Sequence, residues 1–137
     1  MSITVKDLIL KYKSGDSFQT IVDIPEWKME KGRQAVIHGP SGSGKTTLLH
    51  TVAGLIKPTS GTVEVCGNKI SDMNEIQRDR FRARHIGYIF QNFNLLQGYT
   101  ALENIILGMS FSQIADKSFN KTAKSLLSQI GLEHRIH

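Results

Sequence analysis

The chain has 137 residues, which is room for one small domain with a single core. Hydrophobic residues make up 39% and charged residues 21%, an ordinary globular balance, and no apolar run approaches the roughly 20 residues of a membrane-crossing helix. The net charge is +5, and the lone Cys66 excludes an internal disulfide. Residues 1–7 carry no basic stretch followed by an apolar one, which argues against a signal peptide and predicts a cytosolic chain.

Ile3, Val5, Leu8 and Leu10 predict an opening strand that closes at Tyr12, although the alternation slips between Val5 and Leu8. Ser14-Gly15-Asp16-Ser17 is a turn. Residues 18–24 read as a second strand, antiparallel to the first, which Pro25 ends or interrupts. Trp27 and Met29 alternate with Lys28 and Glu30 and extend the sheet. Gln34-Ala35-Val36-Ile37 is a short apolar run read as a buried strand. Gly39-Pro40-Ser41-Gly42-Ser43-Gly44-Lys45-Thr46-Thr47 follows it and fits the phosphate-loop pattern G-x-x-x-x-G-K-[ST] in full. Residues 47–53 then read as a helix stopped by Gly54.

Beyond that helix, Pro58 and Gly61 mark a turn, and Thr62, Val63, Val65 and Cys66 read as a short strand ended by Gly67-Asn68. Asp72 and Glu75 have capping-box spacing, which predicts a helix from Met73 to about Arg84. Arg78, Arg80, Arg82 and Arg84 fall on it. A nucleic-acid patch and a solvated helix face are the alternatives, and the lack of interleaved aromatics favours the second. Residues 86–90 read as a further strand ending at Gln91, and residues 92–99 as a loop. Thr100 and Glu103 form a second capping box, opening a helix through about Met109. Asn120 caps another helix, on which Ala123, Leu126, Leu127 and Ile130 make one apolar face and which Gly131 stops. The first part is β-rich with one helix and the part after Gln91 is helical. This predicts an α/β core followed by a helical region.

The chemistry of residues 39–47 follows from strand, glycine loop and helix in sequence. A helix N-terminus leaves backbone N–H groups without partners and carries about half a positive charge. Gly42 and Gly44 let the backbone close round an anion, Lys45 adds a compact cation for the terminal phosphates, and the Thr46 hydroxyl can take a position on Mg²⁺. The bland alternative is a Gly/Ser-rich linker that contains a lysine. The five histidines show no metal spacing.

These residues together resemble the ATP-binding subunit of an ABC transporter. Residues 39–49 are similar to that family's Walker A segment, and Gly54-Leu55 with Pro58 and Gly61 to a segment that follows it. Ile86-Gly87-Tyr88-Ile89-Phe90-Gln91 is similar to the Q-loop strand, with Gln91 the namesake residue. Phe93-Asn94-Leu95-Leu96 and Thr100-Ala101-Leu102-Glu103-Asn104 resemble the lipoprotein-releasing and macrolide-exporting branch.

The resemblance implies a P-loop NTPase (RecA-like) α/β core with an N-terminal antiparallel β subdomain. Residues 1–91 would form the nucleotide-binding core, and residues 92–137 the start of a helical subdomain. It implies ATP and Mg²⁺ as ligands, with Gly39 to Thr47 on the phosphates, Tyr12 stacking on adenine, and Thr46 and Gln91 at Mg²⁺. It implies membrane-spanning subunits and a second ATP-binding subunit as partners, no nucleic acid, and a place on the cytoplasmic face of the membrane.

In that family, further motifs follow a segment like residues 131–135: the L-S-G-G-Q signature, the Walker B strand with its catalytic Glu, and a switch His. None lies within these 137 residues. The expectation is an incomplete ATPase subunit with no catalytic residue in this chain, binding ATP weakly without efficient hydrolysis. An unpaired sheet edge and exposed apolar surface are expected with it. The alternatives are an inactive nucleotide-binding remnant or interaction module, and a cell-division ABC ATPase. A GTPase is rejected because Asn68-Lys69-Ile70-Ser71 has Ser71 where a guanine motif needs Asp. A small-molecule kinase would leave Gln91 and residues 100–104 unexplained.

Overall fold

The computed structural model describes residues 1–111 and 118–135, which cluster into two units, residues 1–82 and 83–137. The first unit is built on β1 (Ile3–Ser14) and β2 (Ser17–Met29), a long antiparallel hairpin. β3 (Ser60–Val65) pairs with the other side of β1, and the short β4 (Asn68–Lys69) with β3, giving the order β2-β1-β3-β4. Helix α1 (Lys45–Val52) lies between β2 and β3 in sequence, and α2 (Glu75–His85) follows a single 3-10 turn at Ile70–Asp72. The second unit contains α3 (Ala101–Ser110), α4 (Phe119–Gln129) and a 3-10 turn at Glu133–Arg135.

The slip in the β1 alternation has a structural cause. Ile3, Val5, Leu8 and Leu10 are all buried, so the chain must add one residue between Val5 and Leu8 to keep them on one face. Asp7 absorbs it with φ of 49°, and the β1–β3 register shifts between Lys6 and Ile9. Gly61 sits against this bulge. A Cβ there would lie 2.1 Å from the Asp7 carbonyl oxygen and 2.7 Å from the Leu8 Cα, so only glycine fits. Pro25, with no N–H to donate, lies between the paired residues Ile24 and Glu26, and β2 runs through it rather than stopping. An edge strand tolerates this, and the Trp27–Met29 extension of the sheet is present. Val22, Val63, Val65 and Ile70 are buried too, each worth about 1.5–3 kcal/mol if fully removed from water, and Val52, Ala53 and Phe81 join them from the helices.

Several expected elements differ. Residues 34–37 and 86–90 are not strands, and neither run is buried as strands of a core would be. Val36 is 87% exposed and Ile89 96% exposed. Among the described residues neither run has a ladder partner, and an extended segment without a neighbour gains no inter-strand hydrogen bonds. Exposed apolar surface is present as expected, at Phe93, Leu95, Leu96 and Tyr99.

The start of α2 is capped by a different pair from the expected Asp72 and Glu75. The 3-10 turn takes up Asp72, Met73 is extended, and the box forms two residues on. The Gln77 N–H donates to Asn74 Oδ1 at 2.9 Å, and the Asn74 N–H donates to Gln77 Oε1 at 2.9 Å. The N-cap of α4 is Ser118, not Asn120, which lies inside the helix.

The Thr100–Glu103 box is formed in full. Asn104 then ties the preceding loop together. Its Oδ1 accepts from the Leu96 N–H at 2.9 Å, and its Nδ2 donates to the carbonyls of Tyr99 at 3.2 Å and Thr100 at 3.0 Å. In the second unit, Leu102, Ala123 and Leu127 form the core, with Ile105, Ile106, Met109 and Leu132 against it. Leu126 and Ile130, expected on the same face, are exposed. Two helices bury a narrow seam, and Ala123 and Leu127 at i and i+4 already fill it.

Candidate phosphate-binding site

The loop of residues 39–44 is held from both ends. Gly44 is the N-cap of α1 with φ of 83°, a left-handed conformation that glycine enters without cost. It also presses against β2. A Cβ at Gly44 would lie 2.7 Å from the Ile21 carbonyl oxygen and 3.1 Å from Val22 Cγ2. Gly42 is left-handed too, with φ of 80°, but faces open space. A turn from Pro40 to Ser43 closes the loop, the Ser43 N–H donating to the Pro40 carbonyl at 3.3 Å.

The loop delivers the chain into α1 with its first amide groups unused. The Leu48 N–H donates to the Gly44 carbonyl at 2.8 Å, so the N–H groups of Lys45, Thr46 and Thr47 have no helical acceptor. The first turn contains no acidic residue, and no side chain caps the N-terminus. The first turn and its cap thus place no carboxylate at the positive end of the helix, which favours an anion there, while Asp23 of β2 lines the adjoining cleft. The Lys45 ammonium curls back over the loop. It donates to the carbonyls of Gly39 at 3.0 Å and Pro40 at 2.6 Å, with Ser43 Oγ at 3.5 Å. Thr46 is exposed on the first turn. An open cleft of ≈ 250 Å³ adjoins the loop, lined by Ile21 to Ile24 of β2, Ile37, His38, Ser43, Gly44, Lys45 and Leu48.

Tyr12 is 42% exposed on β1 and pairs with Gln19. Gly44 abuts Ile21 and Val22 on the same β2 strand. Two or three residues of that strand, about 7–10 Å, therefore separate the level of the tyrosine from the loop. Gln91 is exposed in a segment without regular structure and belongs to the second unit. The structure brings together Gly39, Pro40, Ser43, Gly44 and Lys45.

One contact at the other end of α1 was not legible in the sequence. Helix α1 ends in a Schellman motif on Gly54, whose φ is 74°. The Leu55 N–H donates to the His50 carbonyl and the Gly54 N–H to the Thr51 carbonyl. Arg82 of α2 donates from Nη1 to the Gly54 carbonyl at 2.8 Å and from Nη2 to Asp79 at 2.6 Å. Arg78 is likewise half-buried, donating to the Met73 carbonyl. Only Arg80 and Arg84 of the four arginines are exposed, so the solvated-face reading holds for half of them.

A family model described as ABC transporter matches residues 22–137. The lipoprotein-releasing system ATP-binding protein LolD of Hydrogenovibrio crunogenus is 37% identical over 140 residues, covering 97% of this chain and 61% of that protein. The LolD of Cytophaga hutchinsonii is 40% identical, covering 90% of this chain and 59% of that protein. Among solved structures, the dimeric post-hydrolysis state of the ATP-binding cassette MJ0796 bound to ADP and Pi superposes with a TM-score of 0.87. It has 32% identity and covers 98% of this chain and 59% of that one. The chain therefore spans about three-fifths of the length of these relatives.

Proposed function

This chain belongs to the ABC transporter family, and from that premise we propose that it is an ATP-binding subunit whose loop at residues 39–47 holds the phosphates of ATP. The observation that carries the reading is the start of α1. Three amide groups lack helical acceptors, two left-handed glycines precede them, Lys45 folds over the loop, and no carboxylate is in the first turn. Those groups fit a polyphosphate. When ATP binds, Lys45 would exchange loop carbonyls for phosphate oxygens, and the amides of residues 45–47 would point at the anion. Thr46 on the first turn fits a hydroxyl ligand to Mg²⁺, and Gln91 is proposed as a second. Mg²⁺ would supply charge for the phosphate oxygens. Tyr12 is proposed to stack on adenine, an arrangement that its exposure permits.

The wider role proposed is that of the lipoprotein-releasing branch. ATP binding and hydrolysis by the whole protein would drive transport by membrane-spanning subunits, with two ATP-binding subunits acting as a pair. The LolD relatives and the dimeric MJ0796 cassette support this, and they support a cytoplasmic position peripheral to the membrane. Among the described residues no helix is long and apolar enough to cross a membrane. The proposed division is a nucleotide-binding core over residues 1–91 followed by a helical part.

Competition against a fluorescent ATP analogue tests the ligand. ATP and ADP with Mg²⁺ should displace it and AMP should not. Tyr12→Ala should weaken ATP by about two- to tenfold, the value of one aromatic stack, without affecting tripolyphosphate. Equal displacement by AMP would refute the phosphate reading. An unchanged ATP affinity in Tyr12→Ala would refute the stacking role alone.

A further inference from the structure

Helix α1 has eight residues, too few to persist in isolation, so its order comes from what holds its ends. At the N-terminal end Gly44 rests on β2. At the C-terminal end the Schellman turn is covered by α2 and the 3-10 turn before it: a Cβ at Gly54 would lie 3.8 Å from Arg82 Cγ, 3.9 Å from Arg78 Cδ and 3.8 Å from Ile70 Cδ1. Arg82 makes a polar bond across this contact, to the Gly54 carbonyl, 28 residues away in sequence. Its guanidinium is oriented by Asp79 at 2.6 Å, and its side chain is only 28% exposed.

A fixed, partly buried cation at a helix C-terminus favours that helix through its dipole as well as through the bond itself. The direction in which the amides of residues 45–47 point is the direction of the α1 axis. Whatever stops this two-turn helix from fraying or tilting also aims its phosphate donors.

We propose that Arg82 is a positioning residue for phosphate binding, acting through the C-terminal end of α1; this rests on the reading of residues 39–47 as the phosphate site. Arg82 itself lies at the far end of the helix from the ligand. Its effect therefore falls on every ligand that carries the polyphosphate, by the same factor, whether or not adenosine is attached.

The test uses the full chain and measures Mg-ATP and inorganic tripolyphosphate affinity by titration calorimetry, well below each variant's melting temperature. Arg82→Met keeps the aliphatic stem over Gly54 and removes the donors. It should weaken both ligands equally, by about three- to tenfold. Arg82→Gln gives a second uncharged variant with the same expected loss. Arg82→Lys, which can still reach one carbonyl, should recover most of the affinity. Asp79→Asn, which keeps an oxygen to accept from the guanidinium and so keeps its orientation, should change it less than twofold. A lowered melting temperature with unchanged affinity for both ligands would make Arg82 a fold stabiliser only and overturn the proposal. Loss of ATP but not tripolyphosphate affinity would overturn it too. If the wild-type chain binds neither ligand, the phosphate-site reading itself fails, and the proposal with it.

Discussion

Replacing the two left-handed glycines of the loop one at a time separates backbone conformation from support by β2. Gly42 and Gly44 have nearly equal φ values, 80° and 83°, so alanine pays the same conformational cost of about 1–2 kcal/mol at either position. Their surroundings differ. At Gly42 the new methyl meets nothing within 4 Å, whereas at Gly44 it lies 2.7 Å from the Ile21 carbonyl and 3.1 Å from Val22 Cγ2. The carbonyl is that of Ile21, the residue left without a partner where the β1–β2 register shifts between Leu10 and Lys11, so the bulge or the loop must shift by several tenths of an ångström.

Overpacking of that kind adds about 1–3 kcal/mol. Gly42→Ala should therefore lose about 1–2 kcal/mol and Gly44→Ala about 2–5 kcal/mol, the larger figure a serious fraction of a domain's total stability. Urea denaturation followed by far-ultraviolet circular dichroism gives both values, provided the slopes agree. Equal losses at the two positions would refute the claim that β2 backs the loop through Gly44.

Two further outcomes follow from the rest of the fold. Gly61→Ala puts a methyl on top of the Asp7 carbonyl and should cost more than about 3 kcal/mol in the same denaturation assay, whereas Gly15→Ala, at similar φ in open space, should cost about 1–2 kcal/mol. The Glu103 carboxyl is held below its usual value of 4.5, first by the Thr100 backbone N–H and then by the Thr100 hydroxyl. A depressed carboxylate contributes stability that is present above its unfolded value and lost as pH falls through the lower folded one. The melting temperature should accordingly decline below pH 4.5, and Glu103→Gln should flatten that decline.

The parts of this fold that could be read from the sequence are those fixed by local chemistry. The β1–β2 hairpin followed from alternation and a turn. The stops at Gly54 and Gly131 followed from the need for a left-handed residue after a helix, and the Thr100–Glu103 box from two residues three apart. The loop of residues 39–44 was legible for the same reason, because amides, glycines and lysine act within nine residues of chain.

Contacts made across the fold were not legible. Arg82 reads as one of four surface arginines until the Gly54 carbonyl is found beside it. The runs at 34–37 and 86–90 show the opposite failure. Their hydrophobicity predicts strands, but a strand exists only where a neighbour supplies the ladder, and sequence composition carries no record of the neighbour. In the sequence Asp72 and Glu75 offer the same capping-box spacing as Asn74 and Gln77. The geometry of the 3-10 turn, not residue preference, decided between them.

The central claim is that Lys45 and the start of α1 bind the phosphates of ATP. Calorimetric titration of Mg-ATP into the wild-type chain and into Lys45→Ala tests it most directly. Saturable binding at one site per chain is expected in the wild type. Lys45→Ala should lose about ten- to a hundredfold, the value of a charge-assisted bond to phosphate, with the circular dichroism spectrum unchanged. Equal affinity in the two proteins would contradict it.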